Sequence, residues 1–207
     1  MGHSSINLHG AGNVGNAQIG PNAVSQLVTA LKMGGLERLA QPIFRAVGAE
    51  AWLTDPPSAM VDEHLVAALH RAVRAAFPMT EAKALMADAG WLTADYLLVN
   101  RIPRPARLLM QALPSSLSAR ILTAEIQSHA WTFAGSGRFS ARVGLPTVYE
   151  IENNPLCRGE RSATPVCTWH AAVFQQLFTV LVSRSAGVVE TACEAQGSPC
   201  CRFVIEW

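Results

Sequence analysis

Apolar residues follow a helical period through the first part of the chain, from residue 20 to about residue 130. The first helix is predicted from Pro21 to Gly34, because Pro suits a first turn and Gly ends a helix. Its apolar face has steps of three and four residues: Val24, Leu27, Val28 and Leu31. Similar patterns, separated by Gly and Pro, predict further helices over residues 36–47, 62–77, 80–90, 93–99 and 115–129.

The period changes near residue 138, where apolar and polar residues begin to alternate. Residues 138–143 and 147–151 alternate as strands do. Helical spacing returns over residues 164–183, with Pro165 in the first turn, and Gly187 follows its end. Two more strands are predicted, from Val188 and over residues 201–205, with a turn at residues 196–199. The pattern therefore predicts an α+β fold, with a helical N-terminal half packed with a C-terminal antiparallel sheet of two strands, a long helix and two strands.

These changes divide the chain into a tail of residues 1–16, a helical region of residues 17–135 and an α+β core of residues 136–207. The tail is rich in Gly, Asn, Ser and His and is expected to be flexible. Half of the 207 residues are hydrophobic, so the chain can bury a sizeable core without disulfides. The two larger regions are expected to form one continuous globular unit.

Charge and composition exclude several classes of protein. A net charge of +1 argues against a general nucleic-acid binder. No apolar run reaches the length needed to cross a bilayer, and no secretory signal is present, so a cytoplasmic location is expected. Charged residues make up only 15% of the chain. Either an apolar binding cavity or an oligomer interface, such as that of a homodimer, would account for that low fraction.

The last forty or so residues carry the donor atoms of a metal site. Cys167, Glu190, Cys193 and Cys201 provide three thiolates and a carboxylate, a set that favours zinc or iron–sulfur over magnesium or calcium. The predicted hairpin brings Cys193 and Cys201 together, and the start of the preceding helix supplies Cys167. Ordinary buried cysteines and a Cys193–Cys201 disulfide are the alternatives.

The segment from Cys167 to Phe203 resembles the 4-vinyl-reductase domain, a ligand-binding domain that also forms the sensor module of phenol-responsive transcription activators. Five more segments resemble the bacteriochlorophyll 4-vinyl reductase family, and they extend the resemblance to about residues 17–207: residues 19–23, 102–106, 129–139, 154–156 and 158–161. In the sensors, the pattern Cys…Glu-x-x-Cys-x7-Cys binds structural zinc. The resemblance therefore implies zinc at Cys167, Glu190, Cys193 and Cys201, with Cys200 or Cys157 as substitute ligands.

The resemblance also implies a Mg-tetrapyrrole, a chlorophyll precursor, as the ligand. Such a ligand needs an apolar cavity, an axial ligand for its metal and cations for its carboxylates. His129 next to Trp131, or His170, would provide the axial ligand, and Arg101 and Arg104 the cations. The alternatives are structural histidines with hydrogen-bonded rings and a solvated basic loop.

The function expected from this resemblance is an accessory protein of bacteriochlorophyll biosynthesis that carries a Mg-tetrapyrrole. Its partners would be that pigment precursor and other enzymes of the pathway, and its location cytoplasmic or peripheral to the photosynthetic membrane. The alternatives are the 4-vinyl (8-vinyl) reductase itself, acting on divinyl protochlorophyllide or chlorophyllide, and a small-molecule sensor or scaffold. Vinyl reduction needs a nicotinamide or flavin, and the sequence has no motif for either. The string from Gly10 to Gly15 matches GxGxxG, but no strand precedes it.

Overall fold

The computed structural model describes residues 17–207. The predictions for residues 1–16, including the glycine string from Gly10 to Gly15, lie outside the described residues. In the described part, none of the helices combines the length and the apolar character needed to cross a membrane.

Helices build most of the N-terminal half. They are α1 (Asn22–Met33), α2 (Glu37–Ala46), α3 (Glu63–Ala76), α4 (Met79–Asn100), α5 (Arg104–Ala112), α6 (Ser115–Ser128) and α7 (Trp131–Ala134). A short 3-10 helix spans Glu50–Leu53, and two short strands, β1 (Gln18–Ile19) and β2 (Val61–Asp62), pair antiparallel before α3. The predicted apolar face of α1 is buried, as the period requires. Asp62 caps α3, because its carboxylate accepts the backbone N–H groups of His64 and Leu65.

Two boundaries in this half differ from the prediction. The separate helices expected over residues 80–90 and 93–99 are one helix, α4, which continues through Gly90. A Cβ atom on Gly90 would lie 2.5 Å from the carbonyl oxygen of Trp169. Glycine is therefore used here to bring two helices close together and does not end the helix. The second difference is α5, which begins at Arg104 in a segment whose two prolines predicted a loop; Pro105 is accommodated because it lies in the first turn.

The C-terminal half is an antiparallel sheet covered by a long helix. Its elements are β3 (Arg138–Arg142), β4 (Thr147–Glu152), α8 (Thr168–Leu181), β5 (Gly187–Ala192) and β6 (Cys201–Glu206). The strand order is β3-β4-β6-β5. Tyr149 pairs with Phe203 and Ile151 with Cys201 across β4 and β6, so alternate side chains reach one buried face. The predicted α+β class, with two strands, a helix and two strands, is confirmed.

Helix α8 begins later than the sequence indicated. It starts at Thr168, so Pro165 lies outside its first turn and Cys167 occupies the N-cap position. The backbone N–H of Cys167 donates to the Glu190 carboxylate at 2.8 Å. This contact with β5 holds the chain before the helix in a different direction from the one that an earlier start would need.

Aromatic side chains fill the space between α8, α7 and the sheet, where an apolar cavity was expected. Phe133, Phe139, Tyr149, Phe174 and Phe203 form successive ring contacts with centroid distances between 5.1 and 5.8 Å. Most of these contacts are edge to face, the preferred geometry of aromatic pairs. The region is therefore a packed core in this conformation.

Candidate metal centre

Four cysteines converge where the C-terminal hairpin meets the start of α8. Cys201 begins β6, and Cys193 follows the end of β5, next to a register shift between Glu190 and Ala192. Cys167 precedes α8, and Cys157 ends a 3-10 turn that spans Pro155–Cys157. Each cysteine thus lies at an element boundary, where a side chain can point along the edge of the sheet toward a common centre.

The sulfur atoms have the spacing of a tetrahedral metal site. One ligand atom from each of Cys157, Cys167, Cys193 and Cys201 lies within 4.8 Å of all the others. The measured Sγ–Sγ distances are 3.5 Å for Cys157–Cys201 and Cys167–Cys201, and 3.8 Å for Cys167–Cys193 and Cys193–Cys201. Tetrahedral zinc with Zn–S bonds of about 2.3 Å would place its sulfur atoms about 3.8 Å apart. The donor set can therefore bind a thiophilic metal.

The electrostatics of the cluster favour a bound cation. All four cysteines are buried. Hydrogen bonds with Cys157, and then with Cys193 and Cys201, raise the pKa of Cys167 well above its ordinary value. Hydrogen bonds from Cys157, Cys167 and Cys201 lower the pKa of Cys193. Without a metal, the group therefore favours one thiolate among thiols, whereas a divalent cation would stabilise further thiolates.

Glu190 lies beside the cluster and outside its set of four donors. Its Oε2 accepts the Cys167 backbone N–H, while its Oε1 is buried without a hydrogen-bond partner. Burial, followed by the negative charge of Cys193, raises the pKa of Glu190 to about 9. The structure thus brings together three of the predicted ligands, Cys167, Cys193 and Cys201, and adds Cys157. The predicted role of Glu190 as a ligand stays a prediction.

The segment that carries Cys157 is held by side chains on both sides of the cluster. The Asn154 side chain accepts the Leu156 N–H at 3.0 Å and donates to the Cys167 sulfur at 3.4 Å. The Glu194 carboxylate accepts the backbone N–H groups of Asn153 and Asn154. These bonds fix the 3-10 turn against the hairpin, so that Cys157 faces Cys201.

Helix α3 holds the same segment through two reciprocal ion pairs. Glu63, which is fully buried, pairs with Arg158 and also accepts the Ser136 N–H at 2.7 Å. Arg74 pairs with Glu160 and donates to the Leu156 carbonyl oxygen at 2.7 Å. An acid and a base of α3 therefore bind a base and an acid that flank Cys157. Arg158 and Glu160, for which a salt-bridged surface turn was one expectation, serve instead to anchor this loop.

The cysteines are reduced, and Cys200 does not join the cluster. All five are free thiols, and the 3.8 Å between the sulfurs of Cys193 and Cys201 exceeds the roughly 2.05 Å of a disulfide bond. Cys200 is buried, but it lies outside the group of donors within 4.8 Å. Of the two substitute ligands considered from the sequence, the geometry favours Cys157.

The residues predicted to bind a tetrapyrrole are not gathered into one pocket. His129 ends α6 on the surface, and its Nδ1 lies 2.8 Å from Ser128 Oγ and 3.0 Å from the Glu125 carbonyl oxygen. Trp131 is 56% exposed. Arg101 and Arg104 are exposed between α4 and α5. Only His170 is in the interior.

His170 lies on α8 and is the buried member of this set. Its exposed fraction is 0%, its Nε2 is 3.4 Å from the Phe133 carbonyl oxygen, and its Nδ1 has no partner. Burial lowers the pKa of His170 to about 4. The ring stacks on Phe174 with a centroid distance of 6.1 Å. A neutral imidazole with one free nitrogen has the chemistry of an axial ligand.

Sequence reasoning gave Cys157 too little weight and did not find the contribution of α3. The signal for Cys157 was the Asn154-Pro155 pair, which marks a turn shortly before Cys167 and can return the chain to the same site. Glu63 and Arg74 gave no such signal, because their partners lie more than eighty residues away along the chain.

Comparisons with known proteins extend over nearly the whole chain. The 4-vinyl-reductase domain family matches residues 147–207, which includes all four cysteines of the cluster. The bacteriochlorophyll synthase 23 kDa chain of Cereibacter sphaeroides is 46% identical over 186 residues, covering 90% of this chain and 89% of the relative. The protein of the same name from Rhodobacter capsulatus is 39% identical, covering 91% and 86%. A solved structure titled "Probing the function of heme distortion in the H-NOX family" has a TM-score of 0.54 at 12% identity, covering 91% of this chain and 95% of that one.

Proposed function

Because the chain belongs to the family of the bacteriochlorophyll synthase 23 kDa chain and carries a 4-vinyl-reductase domain, we propose that it is an accessory protein of bacteriochlorophyll biosynthesis. In this proposal it binds a Mg-tetrapyrrole intermediate and holds a structural zinc ion in its cysteine cluster. Its partners are other enzymes of that synthesis, consistent with relatives whose names describe one chain of a synthase. The observation that carries the proposal is the identity of 46% over 90% of the chain.

The zinc part of the proposal rests on the donor set. Four buried sulfur donors at tetrahedral spacing suit a structural zinc site, in which protein ligands fill every position. Cys157, Cys167, Cys193 and Cys201 would hold the ion. Asn154 would support the site from outside, because its side chain already donates to the Cys167 sulfur.

The fourth ligand separates two versions of this site. We expect Cys157→Ser to lose zinc, measured as metal per chain after dialysis, because Cys157 is in the tight group of donors and Glu190 is not. Glu190→Gln should keep one zinc, since an amide oxygen still accepts the Cys167 N–H. The reverse result, with zinc lost in Glu190→Gln and kept in Cys157→Ser, would establish the ligand set predicted from sequence.

The tetrapyrrole part of the proposal rests on the family and on His170. The relatives are named for bacteriochlorophyll synthesis, and the H-NOX structure shares the fold with a protein whose title names heme. His170 has an unpartnered nitrogen in an aromatic environment. Since aromatic rings now fill that environment, a macrocycle would have to displace Phe133 or Phe174 to reach the histidine.

The experiment mixes the zinc-loaded protein with a divinyl Mg-tetrapyrrole, with and without NADPH. We expect a shift of the Soret band and no reduction of the vinyl group. His170→Ala should weaken binding of the Mg-containing ligand more than that of its metal-free form, because only the former needs an axial ligand. Equal losses for both forms would show that His170 acts through packing, and absence of any Soret shift would refute the carrier role.

The second candidate function is the vinyl reductase, which the match of the 4-vinyl-reductase domain at residues 147–207 favours. The same mixture tests it. Steady formation of the monovinyl product with NADPH and no second protein would refute the carrier role and establish the reductase. A zinc ion with four protein ligands has no open position and no redox change, so the hydride would have to come from a bound cofactor.

A further inference from the structure

Helix α5 is apolar on the side that faces away from the protein. Leu108 is 67% and Leu109 59% exposed, and Pro105 and Ala112 are exposed beside them. With a rotation of about 100° per residue, these four positions lie on one side of the helix. An ordinary surface helix presents charged or polar residues there. We call this surface, Pro105, Leu108, Leu109 and Ala112, the outer face of α5.

The contacts of α5 with the protein fix this orientation. Met110, on the opposite side, is its only buried residue in the described structure. The Met110 carbonyl oxygen accepts the Ser118 hydroxyl at 2.6 Å, and the Gln111 side chain donates to the Val180 carbonyl oxygen at 3.1 Å. The helix is therefore held against α6 and the end of α8. Its outer face is exposed because the inner side is already used in packing.

The chain around α5 is basic and has no carboxylate. From residue 96 to residue 124 the only charged residues are arginines, with no Asp or Glu: Arg101, Arg104, Arg107 and Arg120. None of them belongs to a salt bridge within residues 17–207, where the ion pairs use other arginines. Arg104 lies one turn from Leu108, beside the outer face. Unpaired guanidinium groups next to exposed leucines attract a partner that is both anionic and apolar.

We propose that the outer face of α5 docks on an anionic lipid bilayer. An interfacial helix lies flat, with leucines at the headgroup boundary and arginines extended to the lipid phosphates. A second copy of this chain fits less well, because symmetric pairing through this face would bring arginines against arginines. This role for Arg101 and Arg104 is independent of tetrapyrrole binding, since the apolar outer face distinguishes a bilayer from a soluble carboxylate.

The test measures binding of the purified full chain to vesicles by flotation. Vesicles of phosphatidylglycerol mixed with phosphatidylcholine should bind the chain, and vesicles of phosphatidylcholine alone should bind it much less. Arg101→Gln with Arg104→Gln and Arg107→Gln should weaken binding on the order of a hundredfold, since each basic residue near an anionic surface contributes about fivefold. Leu108→Ser with Leu109→Ser should weaken it about tenfold or more.

The matched control is Arg38→Gln with Leu39→Ser on α2, where Leu39 is 58% exposed and Arg38 is its exposed neighbour. This variant should bind vesicles as the unmodified chain does. If a combined α5 variant melts early, Leu108→Ser alone replaces it. Equal binding to both vesicle types, equal binding by all variants, or no binding would overturn the proposal. So would a dimer in solution that Leu108→Ser with Leu109→Ser abolishes, because the outer face would then be covered by a second copy.

Discussion

The cysteine cluster and the residues predicted to bind a tetrapyrrole differ in how much of the fold positions them. The cysteines come from four element boundaries, yet their sulfurs lie within 4.8 Å of one another and are buried. Of the predicted tetrapyrrole ligands, His129, Trp131, Arg101 and Arg104 are exposed, and only His170 is in the core. The difference teaches that a site predicted from spacing along a hairpin inherits the register of the sheet. Residues chosen for their chemical type have no such constraint.

The largest expected effect comes from removing a central ligand of the cluster. Cys193→Ser should lose the metal and lower the free energy of unfolding by several kcal/mol, because structural zinc binding contributes directly to folding. Metal analysis and urea denaturation measure both effects. Cys200→Ser is the control, since Cys200 is also buried but lies outside the donor group. Loss of metal in both variants would mean that the cluster is less specific than its geometry indicates.

A smaller effect is expected from the ion pairs that α3 makes with the segment around Cys157. Glu63→Ala leaves Arg158 and the Ser136 N–H without their buried partner, so we expect a loss of about 3 kcal/mol in urea denaturation. The control is Glu152→Ala, which breaks the exposed pair with Arg138 and should cost less than about 1 kcal/mol. Similar losses in the two variants would show that α3 does not anchor this segment.

The contrast between buried and exposed side chains also predicts a pH dependence. Burial, followed by the charge of Arg74, lowers the pKa of His70 to about 3 from an ordinary value of 6.5. The unfolded chain therefore binds a proton that the folded chain does not, so stability is full above about pH 6.5 and falls as the pH falls toward 3. Between pH 7 and pH 5 this residue should account for a loss of about 2 kcal/mol.

His70→Gln tests this origin, because it removes the titrating group from the same helix. Denaturation at several pH values should show a flatter profile than that of the unmodified chain. His64→Gln, at an exposed position of α3, should leave the profile unchanged. An unchanged slope in His70→Gln would assign the pH dependence to other groups.

The smallest effect is expected at the surface histidine. His129→Ala removes hydrogen bonds to Ser128 and to the Glu125 carbonyl oxygen, both at exposed positions, and should change stability by no more than about 0.5 kcal/mol. It should also leave tetrapyrrole binding unchanged, because His170 is the proposed axial ligand. A selective loss of Mg-tetrapyrrole binding in His129→Ala would instead place the ligand at the surface.

Periodicity predicted the α+β class and most elements, because alternation and helical spacing report which side of each element is buried. It separated one helix at Gly90, where the close approach of Trp169 is a tertiary contact that no local pattern records. It also missed α5, since the prolines at residues 103 and 105 suit both a loop and the start of a helix.

The site was predictable to the extent that it depends on local order. The spacing of Cys193 and Cys201 follows from a hairpin, and both lie in the cluster. The position of Cys157 depends on Glu63 and Arg74 of α3, which are remote along the chain. The register shift after Glu190 is equally invisible to alternation, and it lies where the carboxylate and the following thiol are aimed in different directions.

A metal in the cluster would also be a cross-link. It would join points on the chain as far apart as Cys157 and Cys201, a separation of 44 residues, and close smaller loops of 26 and 8 residues between the cysteines inside that span. Cross-links of this kind reduce the number of conformations open to the unfolded chain. The hairpin could then not separate from α8 by fraying from the C-terminus alone, because Cys193 and Cys201 would remain tied to Cys167. Exchange of the amide hydrogens of β5 and β6 with solvent would accordingly have to wait for release of the metal, so the lifetime of that half of the fold would be set by the metal's dissociation rate.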